Sequence, residues 1–125
     1  DEDIELINAW AVIDAGEVVN ADGVKNQIEG GIIQATSCTL IEEVNFDGEI
    51  ISATDWENYP IIKFKQTPQI QVELIDRPEE PFLGVGEAAH GPTAAAISNA
   101  LFTAMNIRIK QLPITRERII SSLNI

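Results

Sequence analysis

Two segments of the sequence have the hydrophobic pattern of β-strands. Residues 4–13 are almost continuously apolar and rich in β-forming side chains. A run of this kind, too short for a typical helix, predicts a strand buried on both faces. Farther along, Ile70, Val72 and Leu74 alternate with polar residues. That alternation predicts a second strand with one exposed face.

A first helix is predicted over residues 23–44, where apolar side chains recur at helical spacing at Val24, Ile28, Ile32, Ala35 and Leu40. Asn20 or Asp22 can cap its N-terminus. Gly30 and Gly31 lie inside this helix, and each glycine costs about 1 kcal/mol relative to alanine. We therefore expect another backbone or a ligand to approach the helix closely there.

A second helix is predicted over residues 94–105, with its first turn at Pro92 or Thr93. Asn106 can close it in the left-handed conformation that glycine usually adopts. Residues 116–123 predict a final helical turn or two. Between the helices, residues 45–49 predict a turn and residues 49–53 a short strand.

This order of elements predicts an α+β fold in which a layered, mixed sheet packs against two main helices. The chain has 125 residues, a length that fits one domain or one part of a larger domain.

Charge and cysteine content narrow the classes of function. The formal net charge is −12, so the chain repels phosphate, and neither nucleic acid nor an anionic membrane is expected as a partner. Cys38 is the single cysteine, which excludes an internal disulfide, and we interpret it as a small core residue.

No apolar run reaches the roughly 18 residues of a membrane span, and the opening Asp1-Glu2-Asp3 is unlike a signal peptide. We expect a soluble chain, in the cytoplasm or the periplasm.

The stretch Gly84-Val85-Gly86-Glu87 is the most suggestive for chemistry. Two glycines allow close approach of a ligand, and a carboxylate follows them just before an alanine-rich helix. In an apolar, water-poor pocket, Glu87 would have a raised pKa and could act as a general base. Spacing alone instead favours a simpler role, in which Glu87 offsets the helix dipole.

Two further side chains near glycines are polar. His90 has no second ligand at metal-binding spacing, so a solvated or hydrogen-bonded loop histidine is expected rather than a metal ligand. The amide of Gln27, in Gln27-Ile28-Glu29-Gly30-Gly31, offers two donors and an acceptor, which suit an organic cofactor rich in oxygen and nitrogen. Alone, that segment is better explained as polar residues on a helix.

Together these motifs resemble the C-terminal part of the molybdenum-binding subunits of the xanthine oxidase family. In chain order they are Asp14-x-Gly16-x-Val18-Val19-Asn20, Gln27-x-Glu29-Gly30-Gly31, Gly84-x-Gly86-Glu87, Pro92 with residues 94–96, Asn99-Ala100, and Arg108 followed by Leu112-Pro113. Ser37-x-Thr39-Leu40 and Asp55-Trp56-x-x-Tyr59-Pro60 are closest to isoquinoline 1-oxidoreductase β-subunits and related aldehyde dehydrogenases. The departures are Asn106 in place of a usual glycine and Cys38 in place of an aromatic residue.

The resemblance implies a specific chemistry. Residues 1–125 would be a single C-terminal fragment of a domain that binds molybdopterin, in its cytosine dinucleotide form. Glu87 would be the general base that activates a molybdenum-bound hydroxide, Gly86 part of the loop beside the metal, and Gln27 a contact to the molybdopterin. The substrates would be N-heteroaromatic compounds or aldehydes, with water as the oxygen source. Electrons would leave through [2Fe-2S] clusters on a partner chain.

The fragment is not expected to be an enzyme by itself. Its implied partners are the remainder of the molybdenum subunit, an iron–sulfur subunit and a small-molecule substrate. Without them we expect no bound cofactor, and we expect the exposed apolar surface to drive self-association. Two alternatives are a stand-alone binding or assembly module that keeps the fold without the chemistry, and a structural protein in which Gly84-x-Gly86-Glu87 is coincidental.

Overall fold

The computed structural model describes residues 4–46 and 48–123. Its elements are, in order, β1 (Asn8–Asp14), α1 (Ala21–Leu40), a 3₁₀ turn (Phe64–Gln66), β2 (Gln69–Ile75), α2 (His90–Met105) and α3 (Arg116–Leu123). The two strands form one sheet, α1 packs on it, and α2 packs on α1. This layered arrangement of a sheet with two main helices confirms the predicted α+β class.

β1 and β2 are parallel neighbours, in register from Asn8 opposite Gln69 to Asp14 opposite Ile75. The expectation that the first strand is buried on both faces is wrong for this chain. The side chains of Trp10 and Val12 are 71% and 68% exposed, whereas the alternate residues face the core. The reason is that α1 covers one face of the sheet and none of the other described residues covers the opposite face.

The sheet differs from the predicted mixed sheet at residues 49–53. Instead of a strand, one antiparallel bridge joins Phe46 to Ile51, and Asp47 of the predicted turn lies outside the described residues. Ile50 and Ile51 are 65% and 54% exposed. A two-stranded hairpin with no apolar cover is marginal in water, which explains why the pairing stops at one bridge.

Local signals determine both ends of the long helices. The side chain of Asn20 accepts a hydrogen bond from the Gly23 N–H at 2.8 Å, so Asn20 is the N-cap of α1. α1 ends four residues earlier than predicted, because Glu42 and Glu43 would be unfavourable at the negative end of the helix dipole.

α2 starts at His90, which leaves Pro92 in its first turn, where no N–H is needed. Asn106 closes α2 with φ of 55°, as predicted.

Two apolar clusters form the interior. The first lies between the sheet, α1 and the start of α2, and its buried members are Ile28, Ile32, Val72 and Ala89. The second joins the end of α2 to α3, and its buried members are Ile97, Ile114 and Ile119. Across residues 4–46 and 48–123, the helices are too short or too polar to cross a membrane.

Candidate functional site

The loop that carries Glu87 is held at the N-terminus of α2. The Ala88 N–H donates to the carbonyl oxygen of Val85 at 3.4 Å, and the His90 N–H donates to that of Glu87 at 3.2 Å. Val85 and Ala88 pack against the first apolar cluster. Because those two side chains point inward, Gly86 and Glu87 are left on the exposed side of the turn.

The structure brings Gln27 to this loop. A Cβ atom built on Gly86 would lie 3.7 Å from Nε2 of Gln27, in ordinary van der Waals contact. Gln27 is exposed on α1, and the next residue, Ile28, is buried in the core, which fixes the orientation of that turn of the helix. The predicted site residues Gln27, Gly86 and Glu87 therefore lie at one place, although they come from distant parts of the chain.

Glu87 does not cap α2. The N-cap of that helix is Ala89, no side chain makes a capping hydrogen bond, and the first turn contains no acidic residue. Within residues 4–46 and 48–123, the Glu87 carboxylate has no hydrogen-bond or ion-pair partner and is exposed. These residues therefore do not form an apolar pocket around Glu87, and Glu87 lies two residues before the N-cap rather than in the first turn, where it was predicted to offset the helix dipole.

The glycine pair in α1 has two different environments. A Cβ atom on Gly31 would lie 3.1 Å from Cβ of Ala89 and 3.5 Å from Nδ1 of His90, so Gly31 allows the start of α2 to approach α1. A Cβ atom on Gly30 would meet no atom within 4 Å. A close approach is therefore found at Gly31, but the side chains of Ala89 and His90 make it rather than the expected backbone or ligand, whereas Gly30 leaves an open surface near Gln27.

His90 is hydrogen-bonded, as expected. Its Nε2 atom lies 2.9 Å from Oε1 of Gln34, and its Nδ1 atom is buried beside Gly31 with no hydrogen-bond partner among the described residues. The pair ties the first residue of α2 to α1. The contact of Gln34 with His90 was not predicted from the sequence. The signal was there, since Gln27, Gly31 and Gln34 follow the i, i+4, i+7 spacing of one helical face.

Cys38 was predicted to be a core residue, and this is wrong. It lies between the buried residues Ser37 and Thr39, but its own side chain is exposed. Partial burial raises the pKa of the thiol, and the nearby Glu42 carboxylate raises it further. A thiol with a raised pKa is a weak nucleophile at neutral pH, so Cys38 does not add a catalytic group to the site.

The groups around Gln27 suit an organic cofactor rather than a directly bound ion. Gly30, Gly84 and Gly91 have no neighbour within 4 Å of a built Cβ atom, and beside Gly86 the nearest atom is the Gln27 amide nitrogen. Bare backbone and an amide are ligands for oxygen- and nitrogen-rich organic groups. In the described part of the chain, no three His, Cys, Asp or Glu side chains gather in a metal-binding arrangement.

Comparison with known proteins gives a consistent assignment. The sequence profile of a molybdopterin cofactor-binding domain matches residues 2–68. One of the subunits of nicotinate dehydrogenase from Pseudomonas putida is 46% identical over 110 residues, which are 88% of this chain and 9% of that protein. The β-subunit of isoquinoline 1-oxidoreductase from Brevundimonas diminuta is 32% identical over 110 residues, which are 88% of this chain and 14% of that protein.

Solved structures agree with the sequence comparisons. A part of quinoline 2-oxidoreductase from Pseudomonas putida 86 superposes with a TM-score of 0.83 at 32% identity, over 96% of this chain and 16% of that one. A part of the Cu,Mo-CO dehydrogenase has the same fold, with a TM-score of 0.79 at 21% identity, over 92% of this chain and 16% of that one. This chain thus spans a small fraction of each protein it matches. Since the profile match covers more than half of its residues, the chain belongs to the molybdopterin cofactor-binding domains of the xanthine oxidase family.

Proposed function

We propose that residues 1–125 are the C-terminal portion of a molybdenum hydroxylase large subunit that oxidises N-heteroaromatic compounds or aldehydes, with water as the oxygen source. The observation that carries this proposal is the position of the Gln27 amide nitrogen, 3.7 Å from where a Cβ atom on Gly86 would lie, directly beside Glu87. The names of similar proteins support the substrate class, since they include a nicotinate dehydrogenase, an isoquinoline 1-oxidoreductase and a membrane-bound aldehyde dehydrogenase from Gluconacetobacter polyoxogenes.

Glu87 is the general base in this proposal. A base must reach the proton that it removes, and Glu87 is exposed and directly follows Gly86, the glycine nearest to the Gln27 amide. No partner among the described residues occupies its oxygens, so they are available to accept a proton from the water-derived nucleophile. The water-poor surroundings that raise the pKa of a catalytic carboxylate would come from other parts of the large subunit.

Gln27 and Gly86 hold the cofactor in this proposal. The Gln27 amide donates hydrogen bonds to it, and Gly86 lets the backbone approach without a side chain in the way. The group is molybdopterin in its cytosine dinucleotide form, and it supplies the redox chemistry when bound. The chain's own share is binding, orientation and proton transfer, while [2Fe-2S] clusters on an iron–sulfur partner subunit take up the electrons.

Replacing Gln27 by alanine in the complete subunit should weaken cofactor binding. The lost hydrogen bonds contribute about 1 kcal/mol each. Molybdenum occupancy or kcat should fall by several-fold while the subunit stays folded, as checked by metal analysis and circular dichroism. Asn26→Ala is the matched control, because Asn26 is an adjacent exposed amide whose bond goes to Asp22 rather than to the glycine loop. Equal molybdenum content and equal kcat in Gln27→Ala and the wild type would show that Gln27 does not bind the cofactor.

The 125-residue chain alone is expected to bind no molybdenum and to oxidise no substrate, because most of the cofactor contacts would lie elsewhere in the large subunit. We also expect it to self-associate through its exposed apolar residues, despite its charge of −12. Metal analysis and light scattering at several concentrations on one sample test both points. A fragment that retains molybdenum or remains monomeric would contradict them.

Metal and nucleotide analysis of the complete enzyme, with oxidation assays on nicotinate, isoquinoline and aldehydes, tests the whole proposal. A complex with no molybdenum and no oxidation activity would favour the alternative of a binding or assembly module.

A further inference from the structure

One edge of the sheet is open along β1. The Gln69 N–H donates to the carbonyl oxygen of Ile7 at 2.9 Å. Together with the register, this bond shows which residues of β1 direct their backbone groups to β2. In such a ladder, alternate residues direct both backbone groups to the same neighbour. Residues 9, 11 and 13 therefore bond to β2, whereas the N–H and C=O groups of residues 8, 10 and 12 point away from it. None of the described residues pairs with this outer row.

A groove runs along the open edge. It has a volume of ≈ 510 Å³ and is bounded by β1 on one side and by α2 on the other. The β1 wall includes Trp10 and Val12, and the opposite wall is formed by α2 and the turn before it. Apart from Ile97, that wall consists of small or compact residues, among them Ala89, Pro92, Ala96 and Ala100. Small side chains on a helix allow a strand to pack closely beneath it. The groove thus combines an unpaired strand edge with a helix face that leaves room for a backbone.

The layers show which element the groove lacks among the described residues. α1 packs on the sheet, but α2 packs on α1, and no described strand lies beneath α2. Parallel sheets are normally covered on both faces, and unpaired edges are normally paired or blocked. A third strand beside β1 would lie beneath α2, as β1 and β2 lie beneath α1. An apolar small molecule would fill the volume but would leave the outer row of β1 backbone groups without partners.

We propose that a β-strand from the remainder of the molybdenum subunit pairs with the free edge of β1 and occupies this groove. The strand has apolar side chains at alternate positions, which face α2. It comes from the same polypeptide, since the chain spans only 9% and 14% of the first two relatives and most of such a subunit lies outside it. This inference rests on the chain being part of a larger subunit and is independent of the role of Glu87.

Hydrogen–deuterium exchange of the complete subunit, resolved to single amides, tests the pairing. The amides of residues 9, 11 and 13 bond to β2 and serve as an internal reference. If the strand is present, the amides of residues 8, 10 and 12 exchange within about tenfold of that reference, because both rows are hydrogen-bonded. Exchange more than about 100-fold faster than the reference would show an open edge and overturn the proposal. If the protection of residues 8, 10 and 12 is lost on dilution, the edge of β1 pairs with a second copy of the protein, and the proposal is also overturned.

Two neighbouring alanines on α2 provide a matched pair of variants. Ala96 lines the groove, whereas Ala95 does not line it. Ala96→Glu places a carboxylate against the incoming strand and should accelerate exchange at residues 8, 10 and 12 by at least about tenfold relative to Ala95→Glu. Equal exchange in the two variants would contradict the proposal. The wild-type measurement decides by itself if Ala96→Glu does not fold, and none of these readouts depends on turnover.

Discussion

Replacing Glu87 by glutamine in the complete subunit should reduce turnover by about 10²- to 10⁴-fold, the usual contribution of a general base. Glutamine has the size of glutamate and can hydrogen-bond, but it does not accept a proton at neutral pH. The Glu87 side chain has no partner among the described residues and does not cap α2, so the substitution should leave the fold and the molybdenum content unchanged. Turnover and metal content are measured on the same preparation.

The control for this experiment is Glu57→Gln, which removes the same charge from an exposed loop away from the site. It should retain wild-type turnover. An active Glu87→Gln enzyme with normal molybdenum content would show that another group takes the proton. A Glu87→Gln enzyme without molybdenum would instead assign Glu87 to cofactor binding.

Replacing Gly31 by valine should lower the turnover of the complete enzyme by roughly 10²-fold, the order expected when a catalytic group is displaced by about 1 Å. Even the first added carbon would lie 3.1 Å from Cβ of Ala89. The branched side chain must push the start of α2 away from α1 and would also strain the bond between His90 and Gln34. Because Glu87 is carried by the turn just before α2, it moves with that segment.

The steric cause of this effect can be separated from helix propensity in the 125-residue chain. Gly31→Val should lower the free energy of unfolding by about 1–3 kcal/mol, the usual cost of overpacking. Gly30→Val in the same helix should change it little, since a Cβ atom on Gly30 meets nothing within 4 Å. Urea unfolding of both variants and the wild type compares them directly. Equal unfolding midpoints for the two variants would mean that the contact between Gly31 and Ala89 does not hold the helices together.

The parts of the fold that depend on neighbours in sequence could be predicted. Asn20 caps α1 and Asn106 closes α2 because their side chains or backbone act within one turn of the helix. The alternation of Ile70, Val72 and Leu74 likewise appears as the exposed and covered faces of β2.

Predictions that depended on distant packing were less successful. The apolar run in β1 indicated burial but not which partner provides it, and α1 covers only one face. Cys38 lies between two buried residues of α1, and spacing alone did not show that it points outward. Gln27 and Gly86 were each singled out, but only the packing of α2 on α1 shows that they meet.

The parallel pairing of β1 with β2 has a consequence for synthesis on the ribosome. β1 ends at Asp14, and its only described neighbour begins at Gln69, so the partner strand emerges well after β1. At about 5–20 residues per second, the nascent chain spends roughly 3–11 seconds with β1 made and β2 still to come. During that interval α1 can form, but the edge of β1 that bonds to β2 has no partner. The emerging polypeptide therefore leaves this edge of β1 unpaired for seconds, which makes it a natural binding site for chaperones during translation.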